Sequence, residues 1–347
     1  MSTTDDLDLS DRWEDDVPDP NRRRRRRRTA LIALAVVAAL VIAVGAVVGF
    51  YLNGLRDRYN QRTQVNISRG VSDGDRPKAG KGRNFLLLGS DRRAPDEAKR
   101  SGVYGQRSDV MMLVHVSADN QEVHISSFPR DLYVDIPGNG KDRINAALAF
   151  GGVPLSVTTV ENYVGVPIDH VALIDFEGTK GLVDALGGVD VKVDRDFTAD
   201  GKTFTKGVQH MDGETALTFV RQRKAFAEGD FQRNRNQQAV LQAIVEKLIS
   251  RDTLTNPMKT QDAIGALGPY LTTDSGLTAS TMLDLAYSMR SIRGSDLHYL
   301  SVPHGEPFMT KGGASVVATD EKGMDVLRKA LRDDDMGTYY AENAGKY

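Results

Sequence analysis

The sequence predicts an α/β domain, a three-layer α/β/α sandwich with a mixed central sheet, preceded by one transmembrane helix. Three observations lead there. From residue 83 to about 335, short apolar segments alternate with amphipathic ones. Two of the apolar segments, 110–116 and 123–128, flank the turn signal Ser117-Ala118-Asp119-Asn120. An uncharged, almost wholly apolar run, 29–52, follows seven consecutive arginines, Arg22 to Arg28. Strands alternating with helices imply helices on both faces of a sheet, and the hairpin adds an antiparallel pair to it.

In chain order, residues 1–28 are acidic and poor in apolar side chains before the arginine run, and read as a disordered cytoplasmic tail. The run 29–52 would extend roughly 36 Å as a helix at ~1.5 Å per residue, enough for a hydrocarbon core of about 30 Å. Arginines beside a spanning helix stay on the cytoplasmic side. A single-pass cell-membrane protein follows, with its N-terminus inside and its catalytic domain outside. A cleaved signal peptide would have a shorter apolar stretch, about 7–15 residues. Topology accounts for the arginines, so no nucleic-acid partner is inferred from them.

Residues 53–82 are polar, with Gly70, Gly74, Pro77, Gly80 and Gly82, and read as an extracellular tether. Residues 83–335 suit a single domain with a sizeable core, and 336–347 read as a loose tail. Within the domain the pattern predicts strands at 85–88, 110–116, 123–128, 170–174, 189–193 and 297–302. Helices are expected at about 142–150, 155–164, 176–186, 213–222 and 231–250. The 251–335 segment carries no motif of recognisable chemistry.

Composition narrows the chemistry. There is no cysteine in 347 residues, which excludes a disulfide framework, a thiolate metal site and a cysteine nucleophile. Residues 1–28 hold eight acidic and eight basic side chains, so the net charge of −2 belongs to the rest of the chain. An anion site must therefore be a local cluster. The six histidines show no metal-ligand spacing, and no zincin, Walker or serine-elbow pattern is present.

Polar residues gather at the ends of the elements. Asp91 follows the first strand, Asp109 opens the second, and Arg130-Asp131 follow the third. Hairpin topology places Asp109 and Arg130 at one sheet edge, and Asp91 joins them if the first strand runs antiparallel to the second. Two carboxylates there suit a hard divalent cation such as Mg²⁺; spacing alone leaves open that both are ordinary loop aspartates. A second cluster, Arg221, Arg223, Arg233 and Arg235, lies within fifteen residues. The apolar stripe Val240, Leu241, Ile244 and Leu248, continued backwards, passes through Gln237 and Arg233. The buried face of that helix thus begins with an amide and a guanidinium, beside a helix N-terminus that favours anions. An internal pair with Asp230 or Glu228 is the competing reading. Arg235 and Asn236 fall off the stripe and are expected in solvent.

The ordered motifs Asn84-Phe85-Leu86-Leu87-Leu88-Gly89-Ser90-Asp91, Arg107-Ser108-Asp109-Val110-Met111, Ser127-Phe128-Pro129-Arg130-Asp131 and Arg143-Ile144-Asn145-Ala146-Ala147 resemble the LytR-CpsA-Psr family. So does the segment from Met211 to Arg223, followed by Gly229-Asp230-Phe231-Gln232-Arg233 and Gln237. The segment 92–108 is longer than the family pattern, and Asn236 stands where many members carry arginine.

The resemblance implies an α/β/α fold and a phosphotransferase of cell-wall assembly. Such an enzyme attaches a polyprenyl-pyrophosphate-linked glycopolymer to peptidoglycan and releases polyprenyl phosphate. Asp91 and Asp109 match the Mg²⁺-binding aspartates; Arg130, Arg221, Arg223, Arg233 and Gln237 match the pyrophosphate-binding positions. Asp91, Arg130 and Arg233 are the expected catalytic residues, with the base left between Asp91 and a metal-bound hydroxide. A pyrophosphatase acting on the same lipid and a non-catalytic lipid-pyrophosphate scaffold are the alternatives. Peptidoglycan, the lipid-linked polymer and membrane lipid are the expected partners; the polymer's identity is unreadable.

Overall fold

The computed structural model describes residues 53–347 apart from positions 55, 58, 61, 68–75, 91–107, 223–228, 249, 257, 260–267, 269 and 270. The chain divides into two compact units, Met1–Gly54 and Leu55–Tyr347; the second is described here. Among the described residues no helix is long and apolar enough to cross a membrane, and the predicted span 29–52 lies outside them.

A seven-stranded mixed sheet organises the unit. Its strands in chain order are β1 (Thr63–Val65), β2 (Arg83–Ser90), β3 (Ser108–Val116), β4 (Val123–Ser127), β7 (His170–Asp175), β12 (Leu271–Asp274) and β13 (Leu297–Ser301). The spatial order is β1-β12-β7-β2-β3-β4-β13. β2 is antiparallel to β3 and parallel to β7, β3 is antiparallel to β4, and β4 is parallel to β13. The smaller pairs are β5 (Tyr133–Ile136) with β6 (Gly140–Arg143), β8 (Val189–Val193) with β11 (Gly207–Met211), β9 (Phe197–Ala199) with β10 (Lys202–Phe204), and β14 (His304–Met309) with β15 (Ser315–Thr319).

Strand alternation sends side chains to two apolar layers. Leu86, Leu88, Met111 and Leu113 face one, with α1 (Ala146–Val164), α6 (Glu321–Asp333) and α7 (Met336–Asn343). Phe85, Val110, Met112, Val114 and Ile125 face the other, with α2 (Phe176–Ala185), α3 (Gly213–Arg221), α4 (Gly229–Leu248) and α5 (Ala279–Ser288). Helices thus cover both faces of a mixed sheet.

Four expectations are corrected. Residues 140–143 form a strand rather than the start of a helix, because Pro137-Gly138-Asn139-Gly140 turns the chain back on β5; Gly138 (φ 77°) and Gly140 (φ 72°) both use the left-handed region. The helix that follows is a single element broken at Gly151-Gly152, where Gly152 has φ 66° and ψ −160°, with Pro154 just beyond. Residues 336–347 are not a loose tail: α7 buries Met336 and Tyr339, and the Tyr347 hydroxyl donates to Asp320 at 2.8 Å. The predicted tether 53–82 is in part a piece of the domain. β1 adds to the sheet beside β12, Tyr59 is buried with its hydroxyl donating to Leu277 O, and Arg62 donates to Thr273 Oγ1 at 2.9 Å.

Two buried carboxylates tie this frame together. Glu161 on α1 accepts from the Arg76 guanidinium and from Ile168 N at 2.8 Å, joining the segment before β2 to the entry of β7. Asp274, at the end of β12, accepts from His170 Nδ1 (3.1 Å), Val171 N (3.0 Å), Gly276 N (2.9 Å) and Leu277 N (3.0 Å). Burial pushes the Asp274 carboxyl up, but His170 and the backbone donors outweigh it and hold it below the ordinary carboxylate value.

Glu161→Ala is expected to cost roughly 2–3 kcal/mol in urea denaturation, since a buried N–H and a guanidinium lose their acceptor; Glu161→Gln keeps an acceptor for Ile168 N and should cost less. Asp274 is expected to stabilise the fold fully above the unfolded carboxylate pKa of about 3.9, and to lose that contribution as pH falls further through its depressed folded value. Asp274→Asn should therefore lower stability at pH 7 by about 1–3 kcal/mol and flatten the acid limb of the stability curve below about pH 4.

Candidate active site

Strand direction decides which polar residues meet. β2, β4 and β7 end where β3 begins, so the start of β3, which carries Asp109, and the turn after β4, which carries Arg130, lie at one end of the sheet. β2 and β3 pair antiparallel. Gly89 pairs with Val110 and Ser90 with Ser108; the register shift between them leaves Asp109 at a bulge, without a direct partner on β2. Asp91 and the Asp109 side chain lie outside the described residues, but position 91 follows Ser90 directly. Ser90 is buried, and its hydroxyl has no hydrogen-bond partner among the described residues. Asp175, last residue of β7, is in register with Ser90. Position 175 thus lies at the same sheet end, and a strand ending in aspartate is the sequence signal that marks it. Carboxylates and a hydroxyl are hard oxygen donors, the set Mg²⁺ requires.

Arg130 sits in a turn with little freedom. Phe128 N donates to Met111 O at 3.0 Å, Leu132 N to Pro129 O at 3.0 Å, Asn145 N to Arg130 O at 3.3 Å and Val317 N to Asp131 O at 2.8 Å. The Asp131 carboxylate lies 3.4 Å from Arg130 Nε and 3.6 Å from Arg143 Nε. Asp131 thereby orients two guanidinium groups, both partly exposed and reachable by an anion. Arg143 has no role in the sequence pattern, because its spacing from Arg130 is too great to suggest one.

The second set rides on α3 and α4. Asp212 caps α3 by accepting from Thr215 N at 2.8 Å, and Arg221 closes the same helix, exposed, where a cation complements the macrodipole. Arg223 lies outside the described residues. On α4 the stripe Val240, Leu241 and Ile244 is buried, Gln237 is buried above it, Arg233 is half-buried and Arg235 is exposed. Asn236, expected in solvent, is buried, and its Nδ2 donates to Phe219 O at 3.1 Å. Gln232 is buried as well, its Nε2 donating to the Asp194 carboxylate at 2.9 and 3.0 Å and to Asn236 Oδ1 at 3.1 Å. The row 232, 236, 240 lies beside the row 233, 237, 241, 244, so α4 buries a face wider than one stripe: it packs against β8, α3 and β3 together.

Gln237 Oε1 is buried with no hydrogen-bond partner among the described residues. Since an amide's O and N exchange on a half-turn, either end can meet a ligand. α4 packs against β3, the strand that Asp109 opens, and Val110 and Met112 share one apolar layer with Val240, Leu241 and Ile244 of α4. Phosphate geometry suits this chemistry, because each guanidinium fork grips two oxygens.

Residues 50–333 match the LytR_cpsA_psr family. The polyisoprenyl-teichoic acid–peptidoglycan teichoic acid transferase TagU of Bacillus anthracis is 42% identical over 203 residues, 58% of this chain and 63% of its own length. The chain thus spans less than two thirds of that relative. The TagU of Enterococcus faecalis is 35% identical over 250 residues, 72% of this chain and 78% of its own. Among solved structures, Bacillus subtilis TagV has a TM-score of 0.61 at 28% identity, covering 75% of this chain and 99% of that one. TagT bound to LIIa-WTA has a TM-score of 0.58 at 28% identity, with 78% and 99% covered. On sequence and fold together, the chain belongs to the LytR_cpsA_psr family.

Proposed function

We propose that the chain is a phosphotransferase of cell-wall assembly that attaches a polyprenyl-pyrophosphate-linked glycopolymer to peptidoglycan and releases polyprenyl phosphate. What supports this reading is that α4, the helix carrying Arg233 and Gln237, packs against β3, the strand that Asp109 opens, in a member of a family whose named relatives transfer teichoic acid to peptidoglycan. The acceptor hydroxyl attacks the phosphorus bearing the glycopolymer; the P–O bond to polyprenyl phosphate breaks, and the hydroxyl proton leaves to a base, for which Asp91 is the candidate. Arg130, Arg221, Arg223 and Arg233 neutralise and orient the pyrophosphate oxygens, with Gln237 as a further polar contact. Asp91 and Asp109 would hold Mg²⁺, which supplies charge neutralisation at the phosphates. Catalysis of this kind rests on positioning and electrostatics rather than on covalent help.

The arginine run and the apolar run 29–52 support work at the outer face of the cell membrane. A polyprenyl donor is itself held in a bilayer, so an anchored enzyme meets it without leaving the surface.

With a polyprenyl-pyrophosphate donor and peptidoglycan fragments, Arg233→Ala is expected to lower turnover roughly 10- to 100-fold, about 1.5–3 kcal/mol for a lost charge-assisted contact. Arg235→Ala should stay within about 0.5 kcal/mol. Equal losses would remove the anion site from this helix face.

Asp91→Ala and Asp109→Ala should each abolish Mg²⁺-dependent turnover with thermal unfolding unchanged; full activity in both would make them ordinary loop aspartates. The same assay separates the rivals. Polymer found only free in solution marks a pyrophosphatase, and donor binding without turnover marks a scaffold.

A further inference from the structure

The opposite end of the sheet carries polar residues that the proposed reaction does not use. Asn84, His115, His124 and His298 occupy one rung across β2, β3, β4 and β13: Asn84 pairs with His115, His115 with His124, and His124 with His298. By strand alternation they share the face of Leu86 and Leu113, the face covered by α6 and α7. The inner half of the rung is satisfied. Asn84 Nδ2 donates to Pro167 O at 3.1 Å, Asn84 Oδ1 lies 2.8 Å from His115 Nδ1, and His115 Nε2 lies 3.0 Å from Asp334 Oδ1.

His124 is different. It is 1% exposed, and neither ring nitrogen has a hydrogen-bond partner among the described residues. A neutral imidazole has one donor and one acceptor, and burying both unmet is costly. Its neighbours are not hydrogen-bond partners but donors of lone pairs. The His298 ring lies 4.8 Å away, centroid to centroid, and Glu122 Oε2 lies 3.6 Å from His124 Nε2. One ligand atom from each of Glu122, His124 and His298 lies within 4.8 Å of the other two.

We propose that Glu122, His124 and His298 form a binding site for a divalent transition metal of the zinc class. Two imidazole nitrogens and one carboxylate oxygen are a zinc donor set, and a hard cation such as Mg²⁺ would not choose it. The 3.6 Å between His124 Nε2 and Glu122 Oε2 is already close to the edge of a tetrahedron with bonds of ~2.1 Å, about 3.4 Å. Closing the third corner needs side-chain rotation by His298 and by Glu122, whose side chain is 44% exposed.

The metal would fasten together two parts of the fold, Glu122 and His124 at the entry of β4 and His298 on the edge strand β13. α7 packs over these ligands, with Tyr340 4.5 Å from the His298 ring and Gly337 against Glu122, a Cβ there falling 3.0 Å from its Oε2. β4 separates this site from Arg130 by its own length, on the order of 17 Å at ~3.3 Å per residue. The expected role is structural.

The test uses the full-length protein in detergent, stripped with chelator and returned to excess Mg²⁺ so that the acidic sheet end does not report. Titration with ZnCl₂, followed by calorimetry, metal analysis and thermal unfolding, should show one zinc per chain and a rise in Tm. His298→Ala and Glu122→Gln, both at partly exposed positions, should each weaken zinc binding by at least the roughly 10–100-fold that loss of a mere supporting contact costs. Arg233→Ala should bind zinc as the parent does. Absence of stoichiometric zinc in the parent, or undiminished binding in both ligand variants, would overturn the proposal; neither result depends on the transferase reading.

Discussion

Strand β2 is hydrogen-bonded along both edges and buried on both faces, and the rest of the structure is arranged around that constraint. Leu86 and Leu88 enter one apolar layer, while Phe85 and Leu87 enter the other. A polar side chain in the middle of such a strand would lose water without gaining a partner. Polarity is therefore confined to its ends, Asn84 at one and Ser90-Asp91 at the other. Because β3 returns antiparallel and β4 turns back again, each end of β2 is joined by ends of its neighbours. Polar residues accumulate at both ends of the sheet, and histidines at only one of them.

Buried polar groups divide into those that hold the fold and those left for a ligand. Glu161, Asp274, Asn84 and Asn236 each have partners remote in sequence, and each joins segments that apolar packing alone would leave free to slide. Ser90 Oγ and Gln237 Oε1 lack such partners among the described residues, as do both nitrogens of His124. The first lies at the acidic sheet end and the second on α4, the two halves of the proposed pyrophosphate site. The third marks the opposite end.

Much of this is legible in the chain because its signals are local. Strand and helix positions follow from hydrophobic period, and the antiparallel hairpin from its turn residues, so the shared edge of Asp109 and Arg130 can be read from residue order alone. The misread segments have non-local causes. Asn236 lies off the apolar stripe, yet it is buried because α4 is wedged among β8, α3 and β3 and takes up the Phe219 carbonyl. Residues 59–65 look like a polar linker, yet Arg62 finds Thr273 and Tyr59 finds Leu277, partners more than two hundred positions away. Residues 336–347 contain too few apolar side chains to announce a docked helix; what holds them is a surface built by β4, β13 and α6.

The sequence by itself determined the order of elements, the acidic and basic motifs, and the family to which those motifs point, since each depends on residues close together in the chain. Tertiary structure decided which polar groups from distant segments join an end of the sheet. His115, His124 and His298 show no ligand spacing in sequence; the β3–β4 hairpin sets the first two side by side, and His298 joins them only because β13 pairs in parallel with β4, across 173 positions of chain separating Ser127 from Leu300. Strand pairing is set by burial and hydrogen bonding between distant segments. No local pattern encodes it, and so the rung of histidines exists only once the sheet is formed.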